Sequence, residues 1–163
     1  MNSENNKHKK NGSNYGRFFL MLGLSFIAMY ITMYMNTYEF DHVYFSLTRL
    51  YMTCLGISAM AVIMLSLMLK MYKNKMKNIA IYLGSLVLFI SALGLVRAQR
   101  PIIGDVLYMK AMIPHHSIAI LTSKRADLKD PETKKLAKEI IEAQKREIAQ
   151  MKKIIYRLEN EGE

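Results

Sequence analysis

The chain has one cysteine, Cys54, and it lies inside an apolar run. One chain can therefore build neither a disulfide nor a cysteine-based zinc site. One Glu-x-x-His step occurs in the 163 residues, Glu39-Phe40-Asp41-His42 in a loop, whereas a ferritin-like di-iron centre needs two such steps on helices with further glutamates, so that ligand signature is incomplete. There is no glycine-rich phosphate loop. A triad drawn from Ser117, a histidine and Asp105 has no sign of an oxyanion hole or nucleophile elbow. A metal oxidase would need a catalytic base or an open di-iron set, and neither is evident. The chain reads as a non-enzyme.

Charge is absent from three long stretches. Phe18–Met35 is an uncharged apolar run of 18 residues, Leu50–Leu69 one of 20 and Ile79–Val96 one of 18. At about 1.5 Å per residue, 18 residues reach about 27 Å, enough for the hydrocarbon core of a bilayer. The first run is too long for a typical signal peptide, and Met33–Tyr38 after it offers no small-residue cleavage site. Three retained spans are expected, inside a membrane domain of residues 17–97. Residues 1–16 are polar and read as a disordered cytoplasmic tail.

The loops orient the spans. Lys7, Lys9, Lys10 and Arg17 precede the first span, and Lys70, Lys73, Lys75 and Lys77 follow the second. The loop between spans one and two has Glu39 and Asp41 against Arg49. Positive flanks belong on the cytoplasmic side. The N-terminus is then cytoplasmic, and everything after Val96 lies on the outer face of the cytoplasmic membrane. The formal charge of +10 is accounted for by these flanks and by a mixed C-terminal surface, without invoking nucleic acid. Tyr34, Tyr38, Phe40, Tyr44, Phe45 and Tyr51 cluster around the first loop as an interfacial aromatic belt. His42 in that loop reads as solvated, with an approach to the outer domain as the alternative.

The spans hold no ionisable chemistry of the kind transporters place in a membrane. Met21, Met29, Met33, Met52, Met60, Met64 and Met68 read as adaptable apolar filler rather than a metal path. Gly56, Ser58, Ala59, Gly84 and Ser85 suit close helix contact.

Residues 101–160 form the outer domain. Pro101 marks the exit from the membrane, and a helix is expected from about 102 to 126. Asp130-Pro131-Glu132 announces a second, to about Leu158: a capping acid, a proline suited to the first turn, and an acid for the positive helix end. The short link makes an antiparallel helical hairpin. On the second helix Leu136, Ile140, Met151, Ile154, Ile155 and Leu158 fall on one stripe, with Gln144 and Glu147 in its middle. A carboxylate in an apolar seam is costly unless it is paired or bound to metal. A basic neighbour is the plain partner; a metal is the other. On the first helix Met109, Met112, His116, Ile120 and Ser123 share a stripe, with His115 about 100° away. Pro114 removes one backbone hydrogen bond between them.

Three of the fourteen methionines follow Val96, and they are Met109, Met112 and Met151. Alone they read as core. Beside His115, His116, Gln144 and Glu147 they make a candidate soft-metal site. Thioethers favour Cu(I), and by extension Ag(I), over zinc.

The run Met112-Ile113-Pro114-His115-His116, with Ala119-Ile120, resembles the bacterial family catalogued as domain of unknown function 305. Leu136-Ala137, Ile140-Ile141, Gln144, Glu147-Ile148 and Met151 match its second helix in order and spacing, so the resemblance covers about 105–158. It implies a ferritin-like bundle outside the cytoplasmic membrane, with copper bound by His and Met in some members. The implied ligands are Met109, Met112, His115, His116 and Met151, with Gln144 and Glu147 as polar members of the pocket. Leu121 and Thr122 stand where members often carry a further methionine.

The expected fold is all-α: three transmembrane helices, then an extracytoplasmic hairpin. A lone hairpin has a poor core, so a homodimer forming a four-helix bundle is expected. The expected function is a membrane-anchored copper or silver binder that sequesters its ion or passes it to a metal-handling membrane protein. The alternative is a metal-free adaptor whose hairpin docks on a partner.

Overall fold

The computed structural model describes residues 2–98 and 102–160. It is all-helical, and no strand occurs among the described residues. The helices are α1 (Asn2–Thr32), α2 (Leu47–Leu67), α3 (Lys75–Ala98), α4 (Asp105–Arg125) and α5 (Pro131–Asn160), with a 3-10 turn at Phe40–His42. α1 takes in the polar stretch that composition alone leaves unstructured. The break expected at Pro101 lies outside the described residues. Three helices are long and apolar enough to cross a membrane: Asn14–Thr32, Leu47–Leu67 and Lys75–Ala98. The first ends earlier than the apolar run does, because turns occupy residues 33–36.

The chain divides into two compact units. One holds α1 to Ile31 with Leu50–Ala98; the other holds Thr32–Arg49 with the chain after residue 98.

In the first unit, Tyr15, Phe18 and Leu22 of α1 pack with Ile57, Ala61 and Leu65 of α2 and with Tyr72. Several polar groups here are satisfied internally, although the buried Tyr72 hydroxyl has no hydrogen-bond partner. The Tyr15 hydroxyl donates to Asn78 Oδ1 at 2.6 Å, and Asn78 Nδ2 donates to the Tyr72 carbonyl at 2.7 Å. Ser66 and Tyr82 hydroxyls, 2.8 Å apart, tie α2 to α3.

The second unit is built on α4 and α5. Asp130 caps α5: the Thr133 amide donates to Asp130 Oδ2 at 2.6 Å and its hydroxyl donates at 2.8 Å. This bonding holds the Asp130 carboxyl below the usual carboxylate range. Met109, Ile113 and Ile120 of α4 meet Ile148 and Ile155 of α5, with Ile141, Met151 and Ile154 alongside. The buried axis of α5 therefore follows Ile141, Ile148 and Ile155. That is a rotation from the expected stripe, and it leaves Leu136 and Leu158 exposed. Contacts ascend on one helix as they descend on the other: Lys110 meets Glu159 at 2.6 Å, and His116 meets Glu147 at 3.0 Å.

The loop Thr32–Arg49 closes one side of this pair. Tyr38 and Tyr44, expected in an aromatic belt, pack on the α4–α5 core, whereas Phe40 is almost wholly exposed. Lys124 donates to the Tyr38 hydroxyl and lies 4.9 Å from its ring centre. Lys152 binds Asp41 and keeps that carboxyl below its ordinary range. Within the loop, the Arg49 guanidinium stacks 4.4 Å from the Tyr34 ring centre and donates to the Met33 carbonyl.

Candidate metal site

Helical spacing explains how the site is assembled. Met109, Met112 and His116 stand at steps of three and four, so they share one face of α4. Glu147, Gln150, Met151 and Ile154 repeat the pattern on α5. The two faces meet in a cavity of about 280 Å³, lined by these residues and Tyr108. Five of the seven residues singled out in the sequence therefore come together: Met109, Met112, His116, Glu147 and Met151. His115 and Gln144 do not line this cavity. His115 is exposed, its ring centre 6.1 Å from that of His116. Gln144 is half-buried, one turn before Glu147 on α5.

Glu147 is not sunk in an apolar seam. Its side chain is 50% exposed, at the flank of the buried axis, and His116 is its neighbour. The expected need for a partner is met by an imidazole, and the burial cost is smaller than a central position would impose. His116 Nδ1 stands 3.0 Å from Glu147 Oε2, yet this buried nitrogen has no hydrogen bond. The carboxylate is close but off the bonding line. The nitrogen is held electrostatically by Glu147, in a cavity that also contains the thioethers of Met109, Met112 and Met151.

Burial is the main influence on the His116 ring and holds its pKa below 6.5. Glu147 opposes this, and His115 adds a smaller push downward. The ring is therefore neutral at neutral pH, the form that can bind a metal. Among the described residues, no three His, Cys, Asp or Glu side chains form a cluster that could hold a metal. The donors present are thioethers, one imidazole and one carboxylate. That set fits a soft monovalent ion better than zinc or calcium.

Gln150 has no place in the sequence reading, although it follows Glu147 by three residues, and Ile154 is read there only as part of the apolar stripe. Tyr108, half-exposed at the rim, had no such signal.

A second polar cluster occupies the loop side of the pair. His42 is buried rather than solvated, and it approaches α4 as the alternative reading had it. Its Nδ1 lies 2.9 Å from Ser117 Oγ, and the Tyr38 amide donates to the same oxygen at 2.7 Å. His42 Nε2 is 3.7 Å from Glu39. These groups border a cavity of about 300 Å³ with Lys145 and Lys152, but Ser117 does not line it. Ser117 is fully buried and already engaged, so the cluster is a fastening rather than a nucleophile. Burial and then Lys152 push the His42 pKa down; Glu39 and Asp41 pull it up more weakly.

A family model described as a domain of unknown function, DUF305, matches residues 95–156. An uncharacterized protein of Acanthamoeba polyphaga mimivirus is 32% identical over 145 residues, covering 87% of this chain and 93% of that protein. The chain belongs to the DUF305 family. The DUF305 match contains all seven residues of the candidate site. The viral relative is matched over more than this segment, so that likeness takes in much of the three apolar helices too. No solved structure matches.

Proposed function

We propose that this DUF305 protein is a membrane-anchored binder of soft monovalent metal, Cu(I) before Ag(I). It holds the ion outside the cytoplasm or passes it to another membrane protein. The observation carrying this reading is the single cavity that gathers Met109, Met112, His116, Glu147 and Met151. The metal is cargo. Thioethers supply soft donors, His116 supplies an unprotonated nitrogen, and Glu147 supplies negative charge beside a cation. Half-exposure of Glu147 leaves a route for the ion to enter and leave.

The proposed topology is three spans with a cytoplasmic N-terminus and α4–α5 outside the cytoplasmic membrane. Lysines on both proposed cytoplasmic flanks support it. So does the packing of Thr32–Arg49 with α4–α5 in one unit. A loop after one span and a domain after three must lie on the same side. We also propose that two copies pair through α4 and α5 as an antiparallel hairpin, giving a ferritin-like four-helix bundle. Exposed Leu136, Tyr156 and Leu158 favour such pairing. They equally favour the second reading, in which the hairpin docks on a partner without metal.

The deciding experiment is Cu(I) titration of the detergent-purified full chain against a chromophoric chelator. The comparison is a variant carrying Met112→Ala, His115→Ala and His116→Ala. Stoichiometric binding lost in the variant is the expected result. Equal, background-level copper in both would defeat the metal reading and leave the adaptor.

A further inference from the structure

We propose that the cleft between α1, α2 and α3 binds one acyl chain of an anionic phospholipid, whose headgroup sits at Lys77. The inference rests on the proposed membrane location of these helices. The cleft has a volume of about 440 Å³. Its floor is made by small side chains, with Ser58 and Ala61 on α2 facing Gly84 and Ser85 on α3. The Ser58 hydroxyl already donates to the Leu55 carbonyl at 2.8 Å, so it makes no demand on an occupant. A side chain at Gly84 would point into open space, with nothing within 4 Å of its Cβ position.

Shape selects the occupant. The lining of α3 runs from Lys77 to Leu88, about 16 Å along the axis at 1.5 Å per residue. Along that length the cleft is lined almost wholly by apolar and small side chains, which suits a single extended alkyl chain.

Charge selects the headgroup. Lys77 and Tyr15 close one end of the cleft, with the Lys77 ammonium 5.2 Å from the Tyr15 ring centre. Lys70, Lys73 and Lys75 lie within the preceding seven residues, and no Asp or Glu occurs from Leu47 to Ala98. Basic pockets between transmembrane helices recognise anionic headgroups. A zwitterionic lipid would place the same chain there without using this charge.

The test is native mass spectrometry of the detergent-purified full chain, titrated with dioleoyl phosphatidylglycerol or dioleoyl phosphatidylcholine. Carbonate extraction of the source membranes, run alongside, tests membrane integration by itself. One phosphatidylglycerol should be retained per chain in preference to phosphatidylcholine. Lys77→Gln should cut that preference about fivefold, the effect of one lysine near an anionic headgroup. Gly84→Leu should abolish retention of both lipids. Equal retention of the two lipids, or retention unchanged in Gly84→Leu, would overturn the proposal. A lipid-free dimer dissociated by Gly84→Leu would instead assign the cleft to a second copy. A chain extracted by carbonate would remove the membrane reading and the proposal with it, while leaving copper binding by α4–α5 untouched.

Discussion

Methionine is used differently in the two units of this protein. In the first, Met29, Met60, Met64 and Met68 pack against the buried cluster of Phe18, Leu22, Ile57 and Leu65. No histidine or acid lies in that cluster, and the thioether is a flexible apolar filler. In the second, Met109, Met112 and Met151 share a cavity with His116 and Glu147. There the same sulfur has neighbours of complementary coordination chemistry. Residue type alone does not separate these roles; the company a side chain keeps does.

The largest expected effect comes from breaking the second unit while sparing the first. Ile120 is fully buried between α4 and α5, and Ile120→Ala should cost about 2–5 kcal/mol. Chemical denaturation followed by circular dichroism should show early loss of α4–α5 helicity, with copper binding lost together with it. Persistence of full copper binding at the denaturant concentration that melts α4–α5 would separate the site from this fold.

Next, Met112→Ala with His116→Ala should weaken Cu(I) by at least a factor of about 100, a loss no smaller than removing outer-shell groups causes. Met60→Leu with Met64→Leu should leave affinity unchanged. A comparable loss in the second pair would erase the contrast between the units and revive a metal path through the spans.

Ser117→Ala should cost about 1–3 kcal/mol, because the Tyr38 amide and His42 Nδ1 lose their shared partner. Proteolysis at Thr32–Arg49 should become faster, and mass spectrometry of the fragments would read it.

The pH dependence is a smaller effect. His42 and His116 are both held below 6.5 in the folded chain. The unfolded chain therefore takes up their protons first as pH falls. Their contribution is complete above about pH 6.5 and declines as pH drops toward the folded values. Thermal midpoints of the metal-free chain should fall across that window, and His42→Asn should flatten the slope. A midpoint independent of pH from 7 to 5 would contradict the burial of both rings. Smallest of all, Asp130→Ala should lower helicity at the start of α5 through loss of its cap.

Much of this protein is legible without coordinates, because local patterns govern it. Uncharged runs locate the three apolar helices, and Asp130-Pro131 places the start of α5 within a residue. Spacing of three and four residues identifies Met109, Met112 and His116 as one face and Glu147 with Met151 as another. The errors have a physical origin. The expected α5 stripe holds Met151, Ile154 and Ile155, which do pack, but it also holds Leu136 and Leu158, which stay exposed, and it omits Ile148, which is buried. Periodicity within one helix cannot know which apolar residues meet a neighbour and which stay in water.

The sequence alone determined the three apolar helical segments, α4, α5 and the membership of the soft donors in two helical faces, since each depends on neighbours within a few positions, but not the polar first half of α1. Tertiary structure decided which donors meet. It excluded His115 and Gln144 from the cavity, set Glu147 beside His116, and buried His42 against Ser117, 75 residues away. Such contacts depend on helix rotation and on where a loop folds back, and those are settled by burying apolar area between distant segments.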